Sequence, residues 1–201
     1  MTARRVVLAS SNAGKLREFD GLLAGSGFTV MRQSDLGVEP PPETGSSFLE
    51  NALIKARNAS RLTGLPAIAD DSGIEVDALG GGPGVYSARY AGEDASDEEN
   101  LDKLMQALAG RPAAERGARY RCVVVYVAHA DDVRPLVGEG TWEGTIIDER
   151  RGTNGFGYDP SFVPRGDTRT VAEIPSEEKN RKSHRAQALT AFLAQLSRAR
   201  S

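Results

Sequence analysis

The start of the chain constrains the fold more than any other part of the sequence. Residues 6–9 are all apolar and predict a short buried strand, and a polar loop follows at residues 10–15. Apolar side chains then recur at helical spacing over residues 16–23, and a second apolar segment near residues 28–31 predicts another strand. A strand, a loop, a helix and a strand in this order are typical of an α/β protein.

The remaining patterns continue this alternation of helices and strands but indicate antiparallel strands in the middle of the chain. Capping-box spacings at Ser47 and Ser96 predict two further helix starts. Residues 120–128 are mostly apolar and rich in β-branched side chains, and residues 137–147 follow as their hairpin partner. We therefore expect a mixed α/β fold in a single domain that covers residues 1–201 without a separate linker.

Charge and cysteine content exclude several classes of protein. The 25 Lys and Arg against 28 Asp and Glu give a net charge of −3, whereas proteins that bind nucleic-acid polymers usually carry a basic domain. A single cysteine, Cys122, excludes a disulfide framework and a zinc site built from thiolates. The longest apolar run, residues 122–128, is far below the roughly 18 residues that cross a membrane. We expect a reduced cytoplasmic protein that binds neither a nucleic-acid polymer nor a membrane.

The first candidate site is the polar loop after the first strand. A loop that opens a helix directs backbone N–H groups towards an anion, and Lys15 adds a positive charge suited to phosphate oxygens. The loop is not a Walker P-loop, because Ala9 and Leu16 stand where that motif needs Gly and Ser or Thr. The alternative is an ordinary connection with a surface lysine. The candidate phosphate-binding residues are Ser10, Ser11, Asn12, Ala13, Gly14 and Lys15.

The second candidate site is the acidic pair Asp70 and Asp71, which follows an apolar strand and precedes Ser72. Adjacent carboxylates at the end of a buried strand are unfavourable unless they are solvated, paired or bound to a metal. Their oxygens suit Mg²⁺, and one carboxylate could accept a proton from an attacking water. Glu43, in the stiff segment after three prolines, is a third candidate ligand. The alternatives are an Asp-Ser-Gly turn and a solvated loop glutamate.

Two further segments combine aromatic and basic residues. In residues 152–160 glycines alternate with Phe156 and Tyr158, whose rings could either stack on a base or cap the core. Residues 179–185 are the densest basic run and precede the predicted C-terminal helix. Positive charge at a helix start opposes the helix dipole, so this run suggests an anionic or carbonyl partner. A solvated charge run is the alternative.

The order of these segments is more specific than any one of them. In chain order they are Ser10-x-Asn12-x-x-Lys15, Glu43-Thr44-Gly45 before Phe48-x-Glu50-Asn51-Ala52, Ala69-Asp70-Asp71-Ser72-Gly73, Gly84-Val85-Tyr86-Ser87-Ala88-Arg89-Tyr90, Gly155-Phe156-Gly157-Tyr158-Asp159-Pro160 and Ser183-His184-Arg185. The set resembles the inosine triphosphate pyrophosphatases, also called dITP/XTP pyrophosphatases. The resemblance implies an elongated α/β fold of two lobes, with a central twisted sheet flanked by helices, a nucleotide cleft between the lobes, and a homodimer.

The resemblance also implies an activity and assigns residues to it. It implies Mg²⁺-dependent hydrolysis of dITP, ITP and XTP to the monophosphate and pyrophosphate, by attack of water at the α-phosphate. Asp71 would be the proton acceptor and, with Glu43 and Asp70, a metal ligand, while Ser72 would touch the substrate. The base and ribose would be bound by Phe156, Gly157, Tyr158, Asp159, Lys179, His184 and Arg185.

Selectivity for the base suggests a more specific hypothesis. We expect His184 and Arg185 to donate hydrogen bonds to the 6-oxo group of hypoxanthine or xanthine. Adenine carries an amino group there and would leave these donors unpaired, which a site of this kind rejects strongly. Guanine shares the 6-oxo group, so a different contact must sense position 2 of the ring.

Two other functions remain open at this point. One is a septum-inhibitor-like (Maf-type) nucleotide pyrophosphatase of related fold, which would act on pyrimidine or modified nucleotides. The other is a regulatory module that binds a nucleotide without hydrolysing it. A pure binding module needs neither Asp70 nor Asp71 near a phosphate, so the acidic pair favours an enzyme.

Overall fold

The computed structural model describes residues 4–198. Its strands are β1 (Arg4–Leu8), β2 (Phe28–Arg32), β3 (Ala67–Val76), β4 (Gly117–Val127), β5 (Leu136–Ile146) and β6 (Phe162–Pro164). Its α-helices are α1 (Ala13–Leu22), α2 (Phe48–Thr63), α3 (Asp97–Ala107), α4 (Ser176–Lys182) and α5 (His184–Arg198). None of the helices within residues 4–198 has the length and apolar character needed to cross a lipid bilayer.

The six strands form one mixed sheet in the order β2-β1-β3-β4-β5-β6. β1 pairs in parallel with two neighbours, so that Val7 lies opposite Met31 of β2 and Ala67 of β3. β5 and β6 are antiparallel, with Thr145 opposite Val163. α-Helices alternate with strands from β1 to β4, whereas β4, β5 and β6 follow one another without an α-helix between them, and the predicted mixed α/β class is confirmed.

The chain divides into two compact units, and each is built from segments that are distant in the sequence. The first unit contains the described residues up to Asp71, Cys122–Gly140 and the described residues from Arg185 onward. The second contains Ser72–Arg121 and Thr141–His184. Each unit has a core of its own. The buried core of the first includes Val6, Leu8, Phe19, Leu23, Ile68, Cys122, Val124, Leu189 and Phe192, and that of the second includes Ile74, Val76, Leu101, Leu104, Tyr120, Trp142, Ile146, Tyr158 and Phe162.

The helix boundaries follow local capping chemistry. Before α3, the Ser96 side chain accepts from the backbone N–H of Glu99 and the Glu99 side chain accepts from the Ser96 backbone, which completes the predicted capping box. Before α2, Ser47 accepts from the Glu50 N–H as predicted. The Glu50 carboxylate instead accepts from the neighbouring Ser46, so only half of that box forms. Gly64, with a positive φ of 67°, ends α2.

Two segments differ from the sequence-based expectation. Asp70 and Asp71 do not form a turn at a strand end, because β3 runs without interruption from Ala67 to Val76 and places both in its middle. The carboxylates are tolerated there because cationic side chains pair with them. The basic run also does not simply lead into the C-terminal helix, since its first part belongs to the separate short helix α4.

Candidate active site

The polar loop at residues 10–15 opens α1. Asn12 is the N-cap, and its Oδ1 accepts from the backbone N–H of Lys15 at 3.0 Å. Ser10 is buried, and Ser11 Oγ accepts from Gln33 Nε2 at 2.9 Å. Ala13 and the buried Gly14 are the first residues of the ten-residue helix, whose first turn carries no acidic side chain. The loop therefore combines N–H groups, the positive end of a helix dipole and a lysine, as an anion site requires.

Asp70 is a buried carboxylate held by two cations. Its Oδ2 lies 3.1 Å from Lys15 Nζ and 3.2 Å from Arg185 Nη2, and Arg185, which is 1% exposed, also pairs with Glu18 of α1. Burial disfavours the charged carboxylate, but Lys15 and Arg185 outweigh burial and hold the pKa of Asp70 well below its usual value. Oδ1 of Asp70 is buried and accepts no hydrogen bond from residues 4–198.

Asp71 has a separate set of partners, because successive side chains on a strand point to opposite faces. Lys55 Nζ lies 3.3 Å from Asp71 Oδ1 and 2.7 Å from Glu43 Oε1, so one ammonium group bridges two carboxylates. Asn51 Nδ2 donates to Asp71 Oδ2 at 3.1 Å. Burial raises the pKa of Asp71, and Lys55 offsets only part of this rise. A raised pKa suits a carboxylate that accepts a proton near neutral pH.

The segment that carries Glu43 packs closely against α2 through the backbone of Gly45. The N–H of Gly45 donates to Asn51 Oδ1 at 2.8 Å, and a Cβ added at Gly45 would lie only 2.7 Å from that oxygen. Asn51 and Lys55 are four residues apart on α2 and share a face. We call the group in the first compact unit the carboxylate cluster; it consists of Lys15, Glu18, Glu43, Asn51, Lys55, Asp70, Asp71 and Arg185.

A second group lies in the second compact unit and is centred on Asp159. Asp159 is buried, and its Oδ2 accepts from Lys179 Nζ at 2.8 Å and from the Phe156 N–H at 3.0 Å. Its Oδ1 accepts from the Tyr120 hydroxyl at 3.0 Å. The Tyr120 ring stacks on the ring of His184. Burial raises the pKa of Asp159, and the Lys179 charge opposes that rise. We call these five residues the aromatic cluster.

Three other predicted site residues, Tyr158, Gly157 and Ser72, lie in the same unit. The Tyr158 side chain is buried and its hydroxyl donates to the Ser87 carbonyl at 2.7 Å, so it caps the core as the alternative interpretation proposed. The Gly157 N–H donates to Asp97 Oδ2 at 2.9 Å. Ser72 is half-buried on β3. The buried Tyr158 is therefore less suited to substrate contact than Phe156, whose ring is partly exposed.

Comparison with known proteins gives the family of the chain. The sequence matches the profile of the Ham1 family over residues 6–195. The chain belongs to the Ham1 family. It is 58% identical over 193 residues to the dITP/XTP pyrophosphatase of Methylococcus capsulatus, with 96% of each chain covered. It is 55% identical over 190 residues to the dITP/XTP pyrophosphatase of Shigella flexneri, with 94% of this chain and 96% of the relative covered.

The solved structures support the same assignment. A HAM1 protein from Coxiella burnetii superimposes on this chain with a TM-score of 0.89 at 45% sequence identity, covering 97% of this chain and 99% of the other. The Ham1 protein of Staphylococcus aureus gives a TM-score of 0.84 at 40% identity, covering 98% and 100%. The family resemblance recognised from the sequence motifs is thereby confirmed.

Within this Ham1 chain, the Arg185 guanidinium is buried and pairs with Asp70 and Glu18. Its predicted contact with a purine base stays a prediction. The reason for the burial is charge compensation, because two buried carboxylates need a buried cation. Arg185 therefore belongs to the carboxylate cluster, whereas its neighbour His184 belongs to the aromatic cluster.

Three members of the two clusters lie outside the motifs that the sequence analysis identified. Lys55 lies four residues after Asn51 within the apolar stripe of α2, and a lysine on a buried helix face is a detectable signal. Glu18 lies three residues after Lys15 and shares its helix face. Tyr120 gave no such signal, because a tyrosine in an apolar strand is most simply a core residue.

The donor set of the Ham1 chain fits Mg²⁺ that arrives with a polyphosphate. Within residues 4–198, no three His, Cys, Asp or Glu side chains are grouped as a ready-made metal cage. Glu43 and Asp71 share the Lys55 ammonium, and Asp70 Oδ1 is a buried oxygen acceptor without a hydrogen bond. Mg²⁺ is commonly held by one or two carboxylates together with waters and phosphate oxygens. Glu43 and Asp71, which share the Lys55 ammonium, can supply those carboxylates, and Asp70, on the other face of β3, stays a predicted third ligand.

Proposed function

We propose that the chain hydrolyses non-standard purine nucleoside triphosphates, namely dITP, ITP and XTP, to the monophosphate and pyrophosphate. The relatives named dITP/XTP pyrophosphatase support this proposal, since they match almost the whole chain. The observation that carries it is the carboxylate cluster, in which a phosphate-type loop and two buried carboxylates of opposite pKa shift lie together. A group of this composition suits phosphoryl transfer, which depends chiefly on positioning and charge neutralisation.

At the phosphate end, the loop at residues 10–15 binds the triphosphate. Backbone N–H groups at the start of α1 donate to phosphate oxygens, and Lys15 contributes a mobile charge. In the structure Lys15 is paired with Asp70, so it exchanges part of this contact for a phosphate oxygen when substrate binds. Arg185 and Glu18 keep Asp70 in place during that exchange.

At the reacting centre, Asp71 accepts the proton of the attacking water. Its raised pKa makes it a better proton acceptor than the strongly acidic Asp70. Lys55 and Asn51 fix the orientation of its carboxylate. Glu43, Asp70 and Asp71 would hold Mg²⁺, which would neutralise charge on the phosphate oxygens.

At the base end, the aromatic cluster binds the purine. The partly exposed Phe156 ring offers a stacking face, for which single-stranded nucleic-acid binders provide a scale of about 1–3 kcal/mol. His184 donates to the 6-oxo group, and Lys179 and Asp159 orient the loop of Phe156. Ser72, Gly157, Tyr158 and the Arg185 guanidinium remain proposed contacts of the substrate or its surroundings. An adenine in this place would leave the His184 donor unpaired.

Analysis of the reaction products tests this function. The purified chain with dITP and Mg²⁺ should release pyrophosphate and dIMP in equal amounts. Release of orthophosphate and dIDP would contradict cleavage at the α-phosphate. Faster turnover of dTTP and UTP than of dITP and XTP would favour the Maf-type alternative, and tight dITP binding without turnover would favour a regulatory module.

We also propose that the chain acts as a homodimer in the cytoplasm. The support is the family resemblance together with the nucleotide substrate that the relatives' names indicate. Sedimentation at micromolar concentration should give a mass close to twice 21.5 kDa. A mass of one chain at this concentration would remove the dimer from the proposal.

A further inference from the structure

The side chain of Tyr120 links two parts of the aromatic cluster. Tyr120 lies on β4 and is 7% exposed. Its hydroxyl donates to Asp159 Oδ1 at 3.0 Å, and its ring stacks on His184 with 4.7 Å between centroids and 10° between planes. The Phe162 ring packs against it as well, at 4.7 Å between centroids. The Tyr120 side chain is therefore held both at its ring and at its hydroxyl.

The Asp159 carboxylate transmits that orientation to Phe156. The same carboxylate that accepts from Tyr120 also accepts from the Phe156 N–H and from Lys179, whose Nζ lies 4.8 Å from the centroid of the Phe156 ring. The loop is packed closely on the carboxylate, because a Cβ at Gly155 would lie 2.9 Å from Asp159 Cγ. A rotation of the carboxylate therefore moves the backbone that carries the Phe156 ring.

We propose that Tyr120 is a positioning residue for the purine base, which fixes Phe156 through Asp159 and fixes His184 by stacking. It acts through these residues and does not itself touch the substrate. The inference rests on the proposed function, in which Phe156 and His184 contact the base. It predicts that Tyr120 controls the affinity and the selectivity for the base but not the rate of phosphate cleavage.

Tyr120→Phe tests the link to Phe156. This change keeps the ring and its stacking on His184 but removes the donor to Asp159, so a buried acceptor loses a partner. We expect a roughly tenfold rise in KM for dITP with kcat changed less than about twofold, the size expected for one lost hydrogen bond to a charged group. The dissociation constant of dIMP, measured by calorimetry without metal, should rise by a similar factor.

Tyr120→Leu tests the link to His184. It removes the stacked ring as well, so the ratio of kcat/KM for dITP over dATP should fall below that of Tyr120→Phe. The chain contains two histidines, so a His129→Gln variant identifies the His184 ring signals by NMR. Those signals should move downfield in Tyr120→Leu and stay nearly unchanged in Tyr120→Phe.

Tyr126→Phe is the matched control, because Tyr126 lies on the same strand in the other compact unit and packs between Phe28 and Phe192. It should keep the wild-type KM, dIMP affinity and selectivity. Wild-type values of all three in a folded Tyr120→Phe would overturn the positioning role, as would an equal loss of kcat and kcat/KM. If the wild type bound dIMP but did not hydrolyse dITP, the proposed function would fail, and the dIMP affinities would still decide the role of Tyr120.

Discussion

At the scale of single residues, the neighbouring aspartates show how position sets chemistry. Asp70 and Asp71 are the same amino acid on the same strand, yet the pKa of one is lowered and that of the other is raised. The difference follows from their partners, since Asp70 meets Lys15 and Arg185 whereas Asp71 shares Lys55 with Glu43. In the proposed function, this division makes Asp70 the acid that stays charged and Asp71 the acid that accepts a proton.

Asp71→Asn should lower kcat for dITP by roughly 10²–10⁴-fold, because the amide cannot accept the proton of the attacking water. The change preserves shape and keeps an oxygen near Lys55, so the far-UV circular dichroism spectrum should remain that of the wild type. Steady-state kinetics with saturating Mg²⁺ measures the effect. Asp131→Asn, at an exposed aspartate, is the control and should retain activity. Full turnover by Asp71→Asn would show that another group is the base.

Sequence reasoning found features whose residues are close together in the chain and missed contacts between residues that are far apart in it. Motif order predicted the loop at Lys15 and the acidic pair, because these features are local. The contact of Arg185 with Glu18 joins residues 167 positions apart, and no single-sequence pattern specifies such a pair. The basic run therefore indicated Arg185 as a candidate site residue, but only the structure shows which carboxylates it contacts.

At the scale of elements, a glycine sets the distance between β5 and α5. A Cβ at Gly138 would overlap the carbonyl oxygen of Ala188 and lie 2.7 Å from the backbone nitrogen of Phe192. Both of these groups are helix backbone, so no flexible side chain can move aside. The helix that carries Arg185 at its start is held against the sheet by this contact.

Gly138→Ala should therefore lower the free energy of unfolding by about 1–3 kcal/mol through overpacking. For a chain of this length the expected fall in Tm is roughly 3–10 °C. Thermal denaturation followed by circular dichroism measures it. Glu139→Ala, at the exposed neighbour, is the control and should change stability by less than about 0.5 kcal/mol. An unchanged Tm for Gly138→Ala would show that β5 and α5 separate easily.

The short helix α4 depends on an exposed network of charges. Arg169 pairs with Asp167 and with Glu178 of α4, and Lys182 also contacts Glu178. Hydrogen bonds from Arg169 and Lys182 lower the pKa of Glu178 to about 2. The same helix carries Lys179 of the aromatic cluster, so this network helps to place a site residue.

The contribution of Glu178 should depend on pH in a defined direction. Because its pKa is lower in the folded state than the roughly 4.3 of an unfolded chain, the stabilisation is complete above that value and disappears as the pH falls towards 2. The difference in Tm between the wild type and Glu178→Gln should shrink between pH 5 and pH 2.5, and also in high salt. Glu177→Gln is the adjacent control. A difference that grows with acidity would contradict the sign of the shift.

At the scale of the whole molecule, the net charge of −3 is a sum over the entire chain and does not describe the local charge of either cluster. The carboxylate cluster lies in the first compact unit and the aromatic cluster in the second, and each has its own hydrophobic core. The sequence predicted the class of the fold because helices and strands alternate in its first part and consecutive strands follow in its middle. The family resemblance implied two lobes, but the sequence did not specify which segments form each unit, because each unit is assembled from segments that are distant along the chain.

Ligand binding should stabilise the folded chain by mass action. At 100 times its dissociation constant, dIMP should contribute about 2.7 kcal/mol, which corresponds to a rise in Tm of roughly 5–10 °C for a chain of this size. The same concentration of dAMP should have a much smaller effect. A thermal shift assay measures both nucleotides in parallel. An equal rise with dAMP would show that the base end does not distinguish 6-oxo from 6-amino purines.

The two aspartates of β3 have a consequence for how that strand finds its place. The strand enters the sheet with Ala67 opposite Val7 and Ile68 opposite Leu8. A slip of one residue would exchange the faces, so that either Asp71 would take the place of Asp70 beside Arg185 or Asp70 would take the place of Asp71 beside Lys55, and the other aspartate would lose its cation. Apolar contacts would re-form after such a slip more easily than the ion pairs of Asp70 and Asp71, because the two sets of ion pairs have different geometries. The ion pairs of the two aspartates thus also select the pairing register, and an insertion within β3 would disturb assembly of the sheet itself.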